Sequence, residues 1–124
     1  MTYTFPQIVF IPIVATNTKN EVVGFTFIKV KERLRHGGFL GELGIVLKDS
    51  YQGRGIGEKL MSQLIAHATR ENVKRIDLTL LTDNFRAVKL YKKYGFVEQK
   101  IIKGGDRWRG QILDCIGMTL EGSE

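Results

Sequence analysis

The sequence is poor in the residues that staple small proteins or bind metals: one cysteine, two histidines and two prolines among 124 residues. Cys115 alone excludes an intrachain disulfide, and with only His36 and His67 beside it a zinc site lacks ligands. We therefore expect a reducing cytoplasm and no metal. No apolar run approaches the ~18 residues of a membrane span, and the opening "MTYTFPQIVF" has no basic segment leading into an apolar core. Neither a membrane anchor nor an export leader is expected. Internal repeats, low-complexity tracts and linkers are missing as well.

What is present has the profile of one globular domain, with 43% hydrophobic and 26% charged residues, enough to bury a single core. Nineteen Lys and Arg against thirteen Asp and Glu give a net charge of +6. That balance favours an anionic partner: nucleic acid, a phosphorylated small molecule or an acidic surface. Charge does not choose among them.

"QIVFIPIVAT" and "EVVGFTFIKV" are rich in β-branched and aromatic residues and flank the polar turn Asn17 to Asn20, which predicts a β-hairpin. Pro12 cannot donate a ladder hydrogen bond, so its strand belongs at a sheet edge or carries a bulge. A basic loop, Lys31 to Gly38, is expected next, and then a strand, "FLGELGIVL", with Glu42, Gly44 and Val46 on one face. From Ile56 the period becomes helical, with Leu60, Met61, Leu64, Ile65 and Ala68 on one stripe ending near Asn72. "RIDLTLL" reads as a strand and "DNFRAVKLYKKY" as a second helix stopped by Gly95. "FVEQKIIK" and "QILDCIGMTL" read as closing strands separated by a loop, "GGDRWRG". The pattern predicts an α/β (α+β) domain, a mostly antiparallel mixed sheet with one central β-α-β unit.

Between the third strand and the first helix stands "YQGRGIG", with glycines at 53, 55 and 57. A strand-to-helix junction directs unpaired N–H groups outward, with the positive end of the helix dipole behind them. Glycines there permit positive φ and keep Cβ atoms away from an approaching anion, and Arg54 can add charge to that anion. A plain turn needs one or two glycines; three favour an anion site, and a diphosphate suits it. Neither G-x-G-x-x-G nor G-x-x-x-x-G-K-[ST] is present, so the dinucleotide and P-loop readings fail.

"QGRGIG" resembles the Q/R-x-x-G-x-G/A signature of the GNAT superfamily of N-acetyltransferases at Gln52, Gly55 and Gly57. "NFRAVKLYKKYGF" is similar to that family's N-x-x-A-x-x-L-Y-x-x-x-G-F at Asn84, Ala87, Leu90, Tyr91, Gly95 and Phe96, in the same order and separation. "ILDCIGMTL" looks like the closing strand, so the resemblance runs from about Val22 to Leu120. It implies a GNAT-like fold whose β-α-β unit binds acyl-CoA. It further implies that Gln52, Gly53, Arg54, Gly55, Ile56 and Gly57 hold the pyrophosphate of acetyl-CoA, with Asn84 beside it. Ile45, Val46 and Leu47 would offer backbone groups to the pantetheine and thioester.

The implied activity is acetyl transfer from acetyl-CoA to a primary amine by direct attack through a tetrahedral intermediate. Such transfer needs a neutral amine, a stabilised oxyanion and a proton for the departing thiolate. Similarity to the family puts Tyr91 near the thioester sulfur as acid; its other reading is a core aromatic. Glu42, three residues before Ile45, stands where some members carry a base acting through water, and equally reads as a solvated strand residue. Where others carry a glutamate, five residues before the motif asparagine, this chain has Thr79. His67 reads as a helix-edge residue, Trp108 beside Arg109 as a loop aromatic over the sheet end, and Lys92-Lys93 as solvated.

The family usually begins with a strand and two helices that this chain lacks before its first hairpin. Residues 1–124 are accordingly expected to form one shortened domain, possible as a fragment or as a subunit, with a homodimer completing the acceptor site. The competing function is a non-catalytic acyl-CoA-binding module or subunit of a larger acetyltransferase. A nucleic-acid-binding domain, suggested by charge and Arg107-Trp108-Arg109, leaves the two ordered motifs unexplained.

Overall fold

The computed structural model describes residues 10–108 and 110–122. Six strands form one sheet: β1 (Phe10–Thr16), β2 (Val22–Arg33), β3 (Phe39–Leu47), β4 (Val73–Leu81), β5 (Val97–Trp108) and β6 (Gln111–Glu121). Two helices, α1 (Ile56–Arg70) and α2 (Phe85–Lys93), follow β3 and β4. The spatial order is β1-β2-β3-β4-β6-β5, antiparallel throughout except for β3 beside β4. β3, α1 and β4 thus form the expected β-α-β unit at the centre.

The strand carrying Pro12 is at the edge, where a residue without an N–H is tolerated. Its turn is organised by Asn17, whose Oδ1 accepts from the backbone N–H groups of Lys19 and Glu21. Two expected loops are shorter than the sequence suggested. β2 continues to Arg33, because a bulge after Val30 restores pairing of Glu32 and Arg33 with Leu40 and Phe39. β5 likewise runs through Gly104 and Gly105 to Trp108, its register shifting between Ile102 and Asp106. The Trp108 side chain and Arg109 lie outside the described residues, as does the expected start of the first strand before Phe10.

Strand alternation sorts the sheet into two faces. Ile28, Leu43, Ile76, Leu78 and Met118 share a face and one core with Met61 and Leu64 of α1 and Tyr91 of α2. Both helices therefore pack on the same side. The buried hydroxyl of Thr26 donates to the carbonyl of Gly44 at 2.8 Å, which satisfies it and pins the far end of β3. On the opposite face Val14, Phe25 and Val46 form a cross-strand row, exposed by 54%, 38% and 54%. Among the described residues no helix is long and apolar enough to cross a membrane, and no group of His, Cys, Asp and Glu could hold a metal ion.

Candidate active site

β3 and β4 pair only from Phe39 with Val73 to Glu42 with Asp77. Beyond that point they diverge, β3 held by β2 and β4 by β6. The opening is a cleft of about 1020 Å³, whose walls include Leu43, Ile45 and Leu47 of β3, Leu78 to Leu81 of β4, and one face of α2.

The glycine stretch forms one end of the cleft. A 3-10 turn, Asp49–Tyr51, leads into it, and Gln52 braces the junction by donating to the Leu47 carbonyl at 3.4 Å and to Asp49 at 3.2 Å. Gly53 and Gly55 have φ of 76° and 80°, conformations costly for other residues, and Gly55 is the N-cap of α1. No side chain caps this helix. Its first intrahelical bond runs from Lys59 N to the Gly55 carbonyl, leaving the amides of Ile56, Gly57 and Glu58 without helical acceptors. Gly57 is different: a Cβ there would meet only Leu90 Cδ2, at an ordinary 3.6 Å. Neither its backbone nor internal packing demands glycine, so an external ligand passing close to the helix accounts for it best.

Asn84 caps α2, its Oδ1 accepting from Ala87 N at 3.2 Å, and it also lines the cleft. Two helical turns later Tyr91 is 5% exposed, its ring tilted against Phe96 at 5.6 Å between centroids. The residue also lines the cleft. Burial pushes its pKa up to about 12, so the phenol keeps its proton across the physiological range. Relative to a thiol near pKa about 8.5 it is a weak acid, suited to hydrogen-bonding a developing thiolate more than to surrendering the proton outright.

The cleft brings together Ile45, Leu47, Gln52, Gly53, Gly55, Gly57, Asn84 and Tyr91. It does not bring in Glu42, Val46, Arg54 or Ile56. Arg54 turns away over the Tyr51 ring, 5.0 Å from its centroid, and with Ile56 borders a separate depression beside β1. Glu42 and Val46 project from the helix-free face. There Glu42 pairs with Lys31 at 2.9 Å, an attraction that raises the lysine's pKa. Beside it Asp77 accepts from Arg75 Nε at 3.1 Å and from the Thr119 hydroxyl at 2.8 Å.

Sequence reasoning missed Arg86 and Lys89. With Leu90 and Lys93 they lie at i, i+3, i+4 and i+7, a stripe legible in the sequence, but that it faces the cleft follows only from the packing of α2. Lys92 points elsewhere, to Glu98 at 3.1 Å. His67 is half-buried at the helix edge and His36 exposed on its turn.

Comparison with known proteins gives a consistent picture. Residues 5–96 match the model of the acetyltransferase (GNAT) family. The chain is 38% identical over 100 residues to an L-amino acid N-acetyltransferase of Escherichia coli, covering 80% of this chain and 61% of that protein. It is 39% identical over 51 residues to a spermine/spermidine N(1)-acetyltransferase of Bacillus subtilis, covering 40% of this chain and 34% of that one. The chain thus spans less than two thirds of either relative. In fold it resembles a phosphinothricin acetyltransferase from Sinorhizobium meliloti solved with acetyl-CoA: TM-score 0.80 at 24% identity, covering 91% of this chain and 62% of that one.

Proposed function

This chain belongs to the acetyltransferase (GNAT) family, and from that premise we propose that it transfers an acetyl group from acetyl-CoA to a primary amine. One observation carries the reading: the sheet ladder stops at Glu42 and Asp77 and opens a cleft with an uncapped helix start at one end and Tyr91 in its wall. The pyrophosphate would lie on the amides of Gly55 to Glu58, with Gln52, Gly53 and Asn84 around it. The pantetheine would run between β3 and β4 against Ile45 and Leu47. The amine attacks the thioester carbonyl to give a tetrahedral adduct, the C–S bond breaks, and the Tyr91 hydroxyl stabilises the departing sulfur. Glu42, approached from the helix-free face, would take the amine proton through water.

The surroundings of Glu42 favour a zwitterionic acceptor. Both carboxylates at the point of divergence are matched by cations, Glu42 by Lys31 and Asp77 by Arg75. A polyamine would have to displace those cations. An amino acid can bring an amine to the carboxylates and a carboxylate to the cations. The relative acting on L-amino acids supports the same choice.

The ion-paired state of Glu42 also favours a second reading, a non-catalytic acyl-CoA-binding module. Turnover separates them: amino acids, polyamines and peptides are each incubated with acetyl-CoA while free thiol is measured. Release that depends on an amino acid supports the first reading. CoA binding without release supports the second. We further propose a cytoplasmic homodimer, supported by the buried unpaired Cys115 and by the exposed row of Val14, Phe25 and Val46. Nucleic acid is not the proposed partner, since Arg86 and Lys89 direct positive charge into the cleft.

A further inference from the structure

The cleft holds positive charge on two separate walls. One is the start of α1, where Gly55 to Glu58 supply amides and no side chain. The other is α2, whose cleft-facing stripe carries Arg86, Lys89 and Lys93. Lys93 is engaged by Glu58 at 3.0 Å. Arg86 and Lys89 are exposed, and neither has a carboxylate partner among the described residues. The Arg86 guanidinium stands beside the glycine loop, with Nη1 3.9 Å from where a Cβ on Gly53 would lie. A fork of five donors and an ammonium one helical turn away form a geometry suited to a phosphate monoester dianion.

From this we propose that Arg86 and Lys89 form a second anion subsite, distinct from the glycine loop, that reads the lone phosphate on the ribose of coenzyme A. The inference rests on the donor reading above and goes beyond it. The helix start accounts for a diphosphate; the cations of α2, beside it, account for a third phosphate. They make the chain select coenzyme A over dephospho-coenzyme A, which has the same adenine, diphosphate, pantetheine and thiol.

Calorimetric titration of the whole chain with the two compounds tests this. Wild type is expected to bind coenzyme A about tenfold or more tightly than dephospho-coenzyme A, the scale of one charge-assisted contact. Arg86→Ala should bring that ratio close to one, Lys89→Ala should lower it in part, and affinity for dephospho-coenzyme A should stay within about twofold of wild type. Both side chains are exposed, so melting temperatures should not move. Equal affinities in wild type, or variants that weaken both compounds alike, would overturn the subsite and assign the cations to the diphosphate. If wild type bound neither compound, the donor reading itself would fall, and the subsite with it.

Discussion

The side-chain amide of Asn17 donates to the hydroxyl of Tyr51 at 3.2 Å, tying the first hairpin turn to the residue that opens the glycine stretch. Tyr51 in turn lies under the Arg54 guanidinium. Positions 34 residues apart therefore hold the loop from outside the cleft. Tyr51→Phe removes this hydrogen bond, keeps the ring beneath Arg54 and leaves the Asn17 turn intact. A neutral bond of this kind is worth about 1 kcal/mol, so CoA affinity should fall by up to about fivefold with kcat unchanged. Unchanged affinity in calorimetry would leave the loop held by Gln52 alone.

Gly57→Ala should separate stability from binding. Alanine is favoured over glycine inside a helix by up to about 1 kcal/mol, and here its methyl meets only Leu90. The variant should melt slightly higher without ligand and gain less from added CoA. Gly55→Val should also lose the CoA effect, but at φ of 80° it is strained as well. A Gly57→Ala protein stabilised by CoA as wild type is would remove the close approach argued for that glycine.

Tyr91→Phe keeps the ring against Phe96 and deletes the hydroxyl. Turnover should drop about ten- to a thousandfold with CoA affinity little changed. The raised pKa carries a pH consequence. The fold favours the neutral phenol, so its stabilising contribution is complete below the unfolded pKa of about 10 and is lost as pH rises through about 12. The gap corresponds to about 2 to 3 kcal/mol. Denaturant midpoints between pH 9 and 12 should therefore fall more steeply for wild type than for Tyr91→Phe. Parallel curves would mean that the ring is less buried than its 5% exposure indicates.

Glu42→Gln should lower turnover at neutral pH while leaving the melting temperature unchanged, because its pair with Lys31 is exposed. Undiminished turnover with an amino acid acceptor would transfer the base role to bulk water.

The row of Val14, Phe25 and Val46 predicts association through the helix-free face. Light scattering at micromolar concentration should report a dimer, and Phe25→Glu a monomer. A wild-type monomer with full activity would remove the dimer and leave the acceptor site to one chain.

Local pattern made most of the fold legible. The helical stripe from Ile56 and the cap-to-stop run from Asn84 to Gly95 survive in the structure nearly residue for residue. The strand ends failed because bulges after Val30 and Ile102 let pairing resume where glycine and charge suggested loops. In the site, spacing identified the residues of the glycine stretch but not their directions. Arg54 sits inside the motif and faces away, whereas Arg86, 32 positions later, stands beside Gly53. Side-chain direction there depends on how α2 packs across the sheet, which no local pattern encodes.

The short seam between β3 and β4 divides the sheet into two leaves, like a book opened from one end. Residues 10–47 close one leaf by hairpins, and residues 73–122 the other, with only the pairs from Phe39–Val73 to Glu42–Asp77 as the spine. Each leaf is held by antiparallel ladders longer than the spine, which puts the weakest cooperative boundary in the sheet along the binding cleft. Amides that bond across the spine, within residues 39–42 and 73–77, should exchange with solvent before those inside either leaf. A molecule lying between the pages would slow that exchange at a distance from every atom it touches.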